Sequence, residues 1–116
     1  LGLREHPKHP FVAVLGDMRE LGRNSVAEHR AVGGLLASLK ARLLITAGPE
    51  MRAAARAARE RGVLVYETGS SEAAALAALA LVHDRDVVLV KGSRSLRMER
   101  VVDTLSGQRA TDEARG

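Results

Sequence analysis

Four short apolar runs, each followed by a helical pattern, constrain this chain more than any other feature. The runs are Phe11–Leu15, Leu43–Ala47, Val63–Tyr66 and Asp86–Val90. They are apolar almost throughout instead of alternating, which is typical of strands buried on both faces of a parallel sheet. The order βαβαβαβα with right-handed crossovers therefore predicts an α/β, Rossmann-like three-layer domain.

Capping residues predict where the helices begin and end. Ser25, with Glu28 three residues later, forms a capping-box pattern for a helix that extends to about Lys40. Ser70 or Ser71 is expected to cap the third helix, and Gly62 to end the second. The inner stripe of the first helix is expected to be Val32, Leu35, Leu36 and Leu39. The last helix is predicted over residues 96–105, followed by a frayed polar tail.

Composition excludes several classes of function. The chain has 116 residues, enough for one core, and no cysteine, so disulfides, zinc–thiolate sites and a cysteine nucleophile are excluded. Only Phe11 and Tyr66 are aromatic, which weighs against base stacking and nucleic-acid binding. Neither a membrane span nor a signal peptide is visible, so we expect no membrane association and a cytoplasmic location. The net charge of +4 fits solvated helix faces, or alternatively an anionic partner.

Two polar turns follow the first and fourth predicted strands. They are Gly16-Asp17-Met18 and Lys91-Gly92-Ser93-Arg94. Ligands of such sheets bind at the carboxyl ends of the strands, where both turns are expected. The second turn combines a lysine, an arginine, a hydroxyl and a glycine at a helix N-terminus, and it could bind an anion. An exposed turn with incidental basic residues is an equally good interpretation.

Asp17 and His29 are weaker candidates. The Asp17 carboxylate could cap the N–H groups of its own loop, or it could bind a ligand hydroxyl or a metal-bound water. Asp17 with Glu20 could form a carboxylate pair, but neither has a recognisable metal-site spacing to any of the four histidines. His29 is expected to pack or cap locally. No GxxxxGK[ST] or GxGxxG motif is present, so a standard nucleotide site is not expected in this chain.

Three segments resemble a known family. "VAVLGDMRELG", "EHRAVGGLLA" and "DVVLVKGSRSLRMERVVDTL" are similar to the C-terminal domain of Mur ligases. Within that family, the three segments are most similar to the ligases that join D-Ala-D-Ala to UDP-N-acetylmuramoyl-tripeptide. The resemblance covers residues 11–105, so residues 1–108 are expected to form this domain and residues 109–116 a disordered tail.

The resemblance implies a role in bacterial peptidoglycan precursor synthesis. The whole enzyme of this family binds ATP and magnesium in a central domain and forms an acyl phosphate that the dipeptide amine attacks. Its C-terminal domain closes the cleft and positions the dipeptide. This chain alone would then be inactive and without a bound cofactor. Two alternatives to this function are an independent Rossmann-like anion-binding module and an interaction scaffold without a ligand.

The resemblance also assigns residues. Lys91, Gly92, Ser93 and Arg94 match the turn that faces the cleft and would help bind D-Ala-D-Ala. Gly16, Asp17 and Met18 match a second loop on the cleft side. His29 and Gly33 match an H-x-x-x-G pattern with an expected structural role, and a role at the cleft stays open for His29. The family's first strand and its Asn-rich motif are not found before Phe11, so an uncovered sheet edge and association through it are expected.

Overall fold

The computed structural model describes residues 10–17, 25–92 and 97–115, which form nine elements. The four strands are β1 (Phe11–Gly16), β2 (Leu43–Ala47), β3 (Leu64–Thr68) and β4 (Val87–Lys91). The four α-helices are α1 (Ser25–Ser38), α2 (Arg52–Glu60), α3 (Ser71–Leu81) and α4 (Glu99–Arg115). A short 3-10 helix, Pro49–Met51, leads into α2. No helix among the described residues is long and apolar enough to cross a membrane.

All strand pairings in the sheet are parallel, and the order is β3-β2-β1-β4. In the centre, Val12 lies opposite Leu43 of β2 and Val88 of β4. β2 lies beside β1, β3 lies beside β2 on the outside, and β4 lies on the opposite side of β1. This arrangement confirms the predicted parallel sheet with interleaved helices.

Helices cover both faces of the central strands. On one face, Val12, Val14 and Ile45 pack with α3 and the start of α4. On the other face, Ala13 and Leu44 pack with α1 and α2. β1 and β2 are therefore buried on both sides, as their uniformly apolar sequences predict.

The outer strands depart from that prediction because each is an edge of the sheet. In β4, Val87 is 51% and Leu89 is 45% exposed, whereas Val88 and Val90 are half-buried. In β3, Leu64 and Tyr66 are exposed as well. A continuous apolar sequence thus does not separate a central parallel strand from an edge strand whose second face lacks a covering helix.

Two helices end with the same backbone motif. After α2, the Gly62 N–H donates to the Arg59 carbonyl and the Val63 N–H to the Ala58 carbonyl, both at 3.0 Å. Gly62 has φ 92° and occupies the left-handed position of a Schellman cap, which confirms the predicted stop. After α1, Lys40 occupies the equivalent position with φ 58°, although it carries a side chain.

The buried face of α1 differs from the predicted leucine stripe. Leu36 is buried and Val32 is partly buried, but Leu35 and Leu39 are 57% and 56% exposed. The prediction is wrong because α1 packs mainly on α2, and Gly33 sets the closest approach. A β-carbon at Gly33 would overlap the Ala54 carbonyl oxygen of α2. Small residues, and not the largest apolar ones, therefore determine which side of α1 turns inward.

Helix α4 is longer than the sequence pattern predicts. It runs to Arg115, ten residues beyond the expected end at Leu105, and includes most of the segment expected to fray. No proline interrupts residues 99–115, and alanine, arginine, glutamine and glutamate favour helix even without an apolar stripe. The segment after Leu105 thus continues α4 although its sequence lacks amphipathic periodicity.

Candidate functional site

The two polar turns meet at the carboxyl edge of the sheet. β1 and β4 are neighbours, and Leu15 lies opposite Lys91 in their register. Lys91 is exposed at the end of β4. Gly92 follows it, and a β-carbon there would lie 2.6 Å from Met98 Cγ and 3.2 Å from Gly16 Cα. A glycine at this position therefore allows the second turn to pass close to the first without displacing Gly16 or the Met98 side chain.

Part of each predicted turn lies outside the described residues. Met18 and Glu20 follow the last described residue of the first loop, and Ser93 and Arg94 belong to the second turn. Their assignment to the site, and the pairing of Asp17 with Glu20, stay predictions. The described portion consists of Gly16, Asp17, Lys91 and Gly92.

Asp17 is buried and caps a neighbouring element. It is 1% exposed, and its Oδ1 accepts a 2.9 Å hydrogen bond from the Met51 N–H at the start of α2. Its own N–H donates to the Ala47 carbonyl at 3.1 Å. Among the described residues, the carboxylate thus caps the start of the helix that follows β2. A cap of its own loop, one of the two roles considered from the sequence, concerns residues outside the described ones and stays a prediction. Asp17 Oδ2 is buried without a hydrogen-bond partner among the described residues.

The backbone beside Asp17 is shaped to admit the carboxylate. Gly48 has φ 105°, and a β-carbon there would overlap the Asp17 side chain. Pro49 follows at the first position of the 3-10 helix, as expected for a helix start. The Gly48-Pro49 turn after β2 therefore forms one wall of the site.

His29 and Glu50 complete a cluster with Asp17. His29 is fully buried in α1, and Glu50 is exposed in the 3-10 helix. One nitrogen or oxygen atom from each of the three side chains lies within 4.8 Å of the other two. Sequence reasoning found no metal-site spacing and did not select Glu50. The position of Glu50 after β2 could have indicated it, because residues that follow parallel strands lie at the same edge of the sheet as Asp17.

A groove of about 440 Å³ opens beside this cluster. Glu50 lines it together with Arg30, Arg52 and Arg56, between the start of α1 and the start of α2. A second groove of about 510 Å³ lies between α3, α4 and β4, and its lining includes His83 and Asp86 from before β4. Of these two grooves, only the first is lined by a member of the cluster, Glu50.

The amino edge of the sheet carries a separate charged contact. Arg42 donates to both Asp86 carboxylate oxygens, at 3.2 and 2.5 Å, and to the Leu81 carbonyl at 3.0 Å. Burial alone would raise the pKa of Asp86, but the hydrogen bonds from Arg42 and from the His83 N–H outweigh it and lower that pKa. This contact ties the starts of β2 and β4 together on the side opposite the two turns.

The pKa of Glu72 is also lowered, at an exposed position on α3. The largest cause is a hydrogen bond with its own backbone N–H, followed by the Ser71 hydroxyl and Arg100 of α4. Glu72 is not among the three side chains, Asp17, His29 and Glu50, whose ligand atoms converge.

Comparison with known proteins identifies relatives of this domain. The family described as Mur ligase, glutamate ligase domain, matches residues 2–94. The UDP-N-acetylmuramoyl-tripeptide–D-alanyl-D-alanine ligase of Treponema pallidum is 39% identical over 100 residues, which are 84% of this chain and 22% of that protein. The ligase of the same name from Mycobacterium leprae is 39% identical over 103 residues, covering 84% and 20%.

Solved structures give the same result. A crystal structure of MurF from Acinetobacter baumannii matches with a TM-score of 0.69 at 29% identity, over 85% of this chain and 22% of that one. A second crystal structure of the same protein matches with a TM-score of 0.61 at 32% identity, covering 81% and 21%. The chain thus spans about a fifth of the length of the relatives it matches.

Proposed function

This chain belongs to the Mur ligase family, as its glutamate ligase (C-terminal) domain, and we propose that it serves a ligase that adds D-Ala-D-Ala to UDP-N-acetylmuramoyl-tripeptide. The names of the two curated relatives, each 39% identical, support this substrate assignment. The single structural observation that carries it is the contact between the two turns, Gly92 against Gly16. It brings both family motifs to one sheet edge, where they can form one wall of a cleft.

The proposed role of this wall is to position the dipeptide. Lys91 is exposed at the end of β4, and its ammonium can pair with the dipeptide carboxylate. In this proposal Gly92, Ser93 and Arg94 act together with Lys91, and Gly16, Asp17 and Met18 form the neighbouring loop of the wall. The buried Asp17 carboxylate would support that loop through its hydrogen bond from the Met51 N–H. Positioning of this kind lowers the barrier to amine attack on an acyl phosphate without any acid–base group from this domain.

ATP and magnesium belong to the rest of the enzyme in this proposal. The sequence holds no phosphate loop, so the chain would form one wall of the cleft and supply no nucleotide site. ATP and the UDP-linked substrate are cytoplasmic compounds, which places the proposed reaction in the cytoplasm. The isolated chain should therefore show no dipeptide-dependent phosphate release from ATP.

Substitution in the complete ligase tests the proposed role of the turn. Loss of a charge-assisted contact from Lys91→Ala or Arg94→Ala should raise the dipeptide KM by roughly 10- to 100-fold. The KM for ATP should stay unchanged. Arg85→Ala is a matched control, because Arg85 is exposed just before β4, at the opposite edge of the sheet. An unchanged dipeptide KM in both turn variants would refute the role of this turn.

We also propose that isolated copies of this chain associate through the edge of β4. Val87 and Leu89 of this edge strand are about half exposed. Most apolar side chains of the central strands β1 and β2 are buried, on both faces of the sheet. Light scattering after gel filtration should show a concentration-dependent increase in mass. Leu89→Lys should restore the monomer, and Leu76→Lys should not, since Leu76 is exposed on α3 away from the sheet. A monomer at every concentration would contradict this association.

A further inference from the structure

The cluster of Asp17, His29 and Glu50 carries an inference beyond the dipeptide cleft. Two carboxylates and one imidazole converge from three separate segments: the end of β1, the first turns of α1, and the 3-10 helix before α2. Within 4.8 Å of one another, their ligand atoms need to close by only about 1 to 1.5 Å to surround one ion at metal–ligand distances near 2.1 Å.

A second observation points to a ligand at this place. The Asp17 carboxylate is 1% exposed, and its Oδ2 has no hydrogen-bond partner among the described residues. A buried carboxylate oxygen without a partner destabilises the folded state, unless a ligand or a proton compensates for the lost hydration. The other oxygen, Oδ1, is held by the Met51 N–H, which fixes the orientation of the carboxylate. One oxygen is thus oriented and the other is available.

We propose that Asp17, His29 and Glu50 bind a divalent transition-metal ion of the Zn²⁺ class. One imidazole nitrogen with two carboxylate oxygens is a donor set suited to such ions, and three protein ligands leave a fourth position open. Glu50 is exposed and lines the adjoining groove, so this groove provides the entry path. The ion clamps β1, α1 and the start of α2 to one another.

The charges around the groove set the strength of binding. Arg30, Arg52 and Arg56 line the groove, and their charges oppose a cation, while the two carboxylates of the cluster offset them. The ion therefore binds more weakly than in a closed structural zinc site with four protein ligands. The same arginines favour an anion, such as phosphate or a carboxylate, at the fourth position.

Thermal unfolding of this chain with added Zn²⁺ tests the proposal. An ion that binds only the folded chain raises Tm by on the order of 10 °C at about 100 times its dissociation constant. EDTA reverses the increase. With Co²⁺ as a probe, visible d–d absorption typical of a site with imidazole and carboxylate ligands appears. This absorption saturates at one ion per chain.

Matched variants assign the ion to this cluster. Glu50→Gln alters an exposed side chain, keeps the fold, and lowers the affinity for Zn²⁺ at least tenfold. Asp17→Asn keeps the oxygen that accepts from Met51 and also loses the ion. His83→Asn, at an exposed histidine on the other edge of the sheet, leaves the affinity unchanged. The proposal is overturned if millimolar Zn²⁺ leaves Tm unchanged, or if only His83→Asn abolishes binding.

Discussion

Two adjacent glycines in α1 give a sharp test of how this fold is packed. At Gly33, a β-carbon would overlap the Ala54 carbonyl oxygen and lie 3.0 Å from Ala57 Cβ, both on α2. At Gly34, the nearest atom would be Arg61 Nη1 at 3.4 Å, the far end of a flexible side chain. We therefore expect Gly33→Ala and Gly34→Ala to change stability in opposite directions.

The magnitudes follow from two opposing terms. Either change gains about 1 kcal/mol of helix propensity, because alanine restricts the unfolded chain and favours helix. At Gly33, overpacking against a helix backbone costs about 3 kcal/mol, the upper part of the usual range, since the backbone cannot rotate away. Gly33→Ala should then destabilise the chain by about 2 kcal/mol, and Gly34→Ala should stabilise it by about 1 kcal/mol.

Urea unfolding followed by circular dichroism measures both free energies. The two variants should differ by about 3 kcal/mol, which corresponds to roughly 10 °C or more in Tm. Gly107→Ala in α4 is a further control, because, apart from the adjacent backbone of its own helix, no atom of the described residues lies within 4 Å of its β-carbon position. If Gly33→Ala and Gly34→Ala unfold at the same urea concentration, α1 and α2 do not approach through Gly33 and the reasoning is refuted.

Three further changes probe the other contacts that position the sheet. Asp86→Asn should destabilise the chain by about 2 kcal/mol at neutral pH, since it weakens the hydrogen bonds from Arg42. Because the folded pKa of Asp86 is lowered, this stabilisation is present above its ordinary value of 3.8 and is lost as pH falls through the folded value. Urea titrations of both proteins should therefore converge as pH falls through the folded pKa of Asp86, and a constant difference would contradict the lowered pKa. Lys40→Gly should raise the free energy of unfolding by roughly 1 kcal/mol, because φ is 58° at Lys40, and a lower Tm would argue against this cap. Ser70→Ala should cost about 1 kcal/mol by removing the acceptor of the 3.1 Å hydrogen bond from the Ala73 N–H, and unchanged thermal unfolding would exclude that cap.

The sequence predicts the order of the elements along the chain, and the parallel direction of the strands, because local signals agree with one another. Uniformly apolar runs, Gly62 after α2 and Ser70 before α3 all act over a few residues, and the structure retains them. The exposed face of β4 could not be predicted in this way. Whether an edge strand is covered depends on which helix crosses it, and that is a property of the whole sheet.

The orientation of α1 shows why large apolar residues can mislead. Leu35 and Leu39 follow a helical period, and their burial would contribute more hydrophobic stabilisation than that of Gly33. Yet α2 approaches through the glycine, because two helices that meet at a residue without a side chain gain contacts along both backbones. The sequence shows which residues share a face of the helix, but the partner determines which face is buried.

The candidate site divides along a similar line, between residues that one turn brings together and residues that the fold brings together. Lys91 and Gly92 could be proposed from the sequence because they end one strand and begin the turn after it, at the carboxyl edge of the sheet. The cluster combines Asp17 and His29, which both follow β1, with Glu50, which follows β2. Their separations of 12 and 21 residues match no short metal-binding motif. Parallel strands make such convergence systematic, because every strand delivers the residues after it to the same edge. A search for sites in this fold should therefore compare the residues that follow different strands, and not only residues at a fixed spacing within one segment.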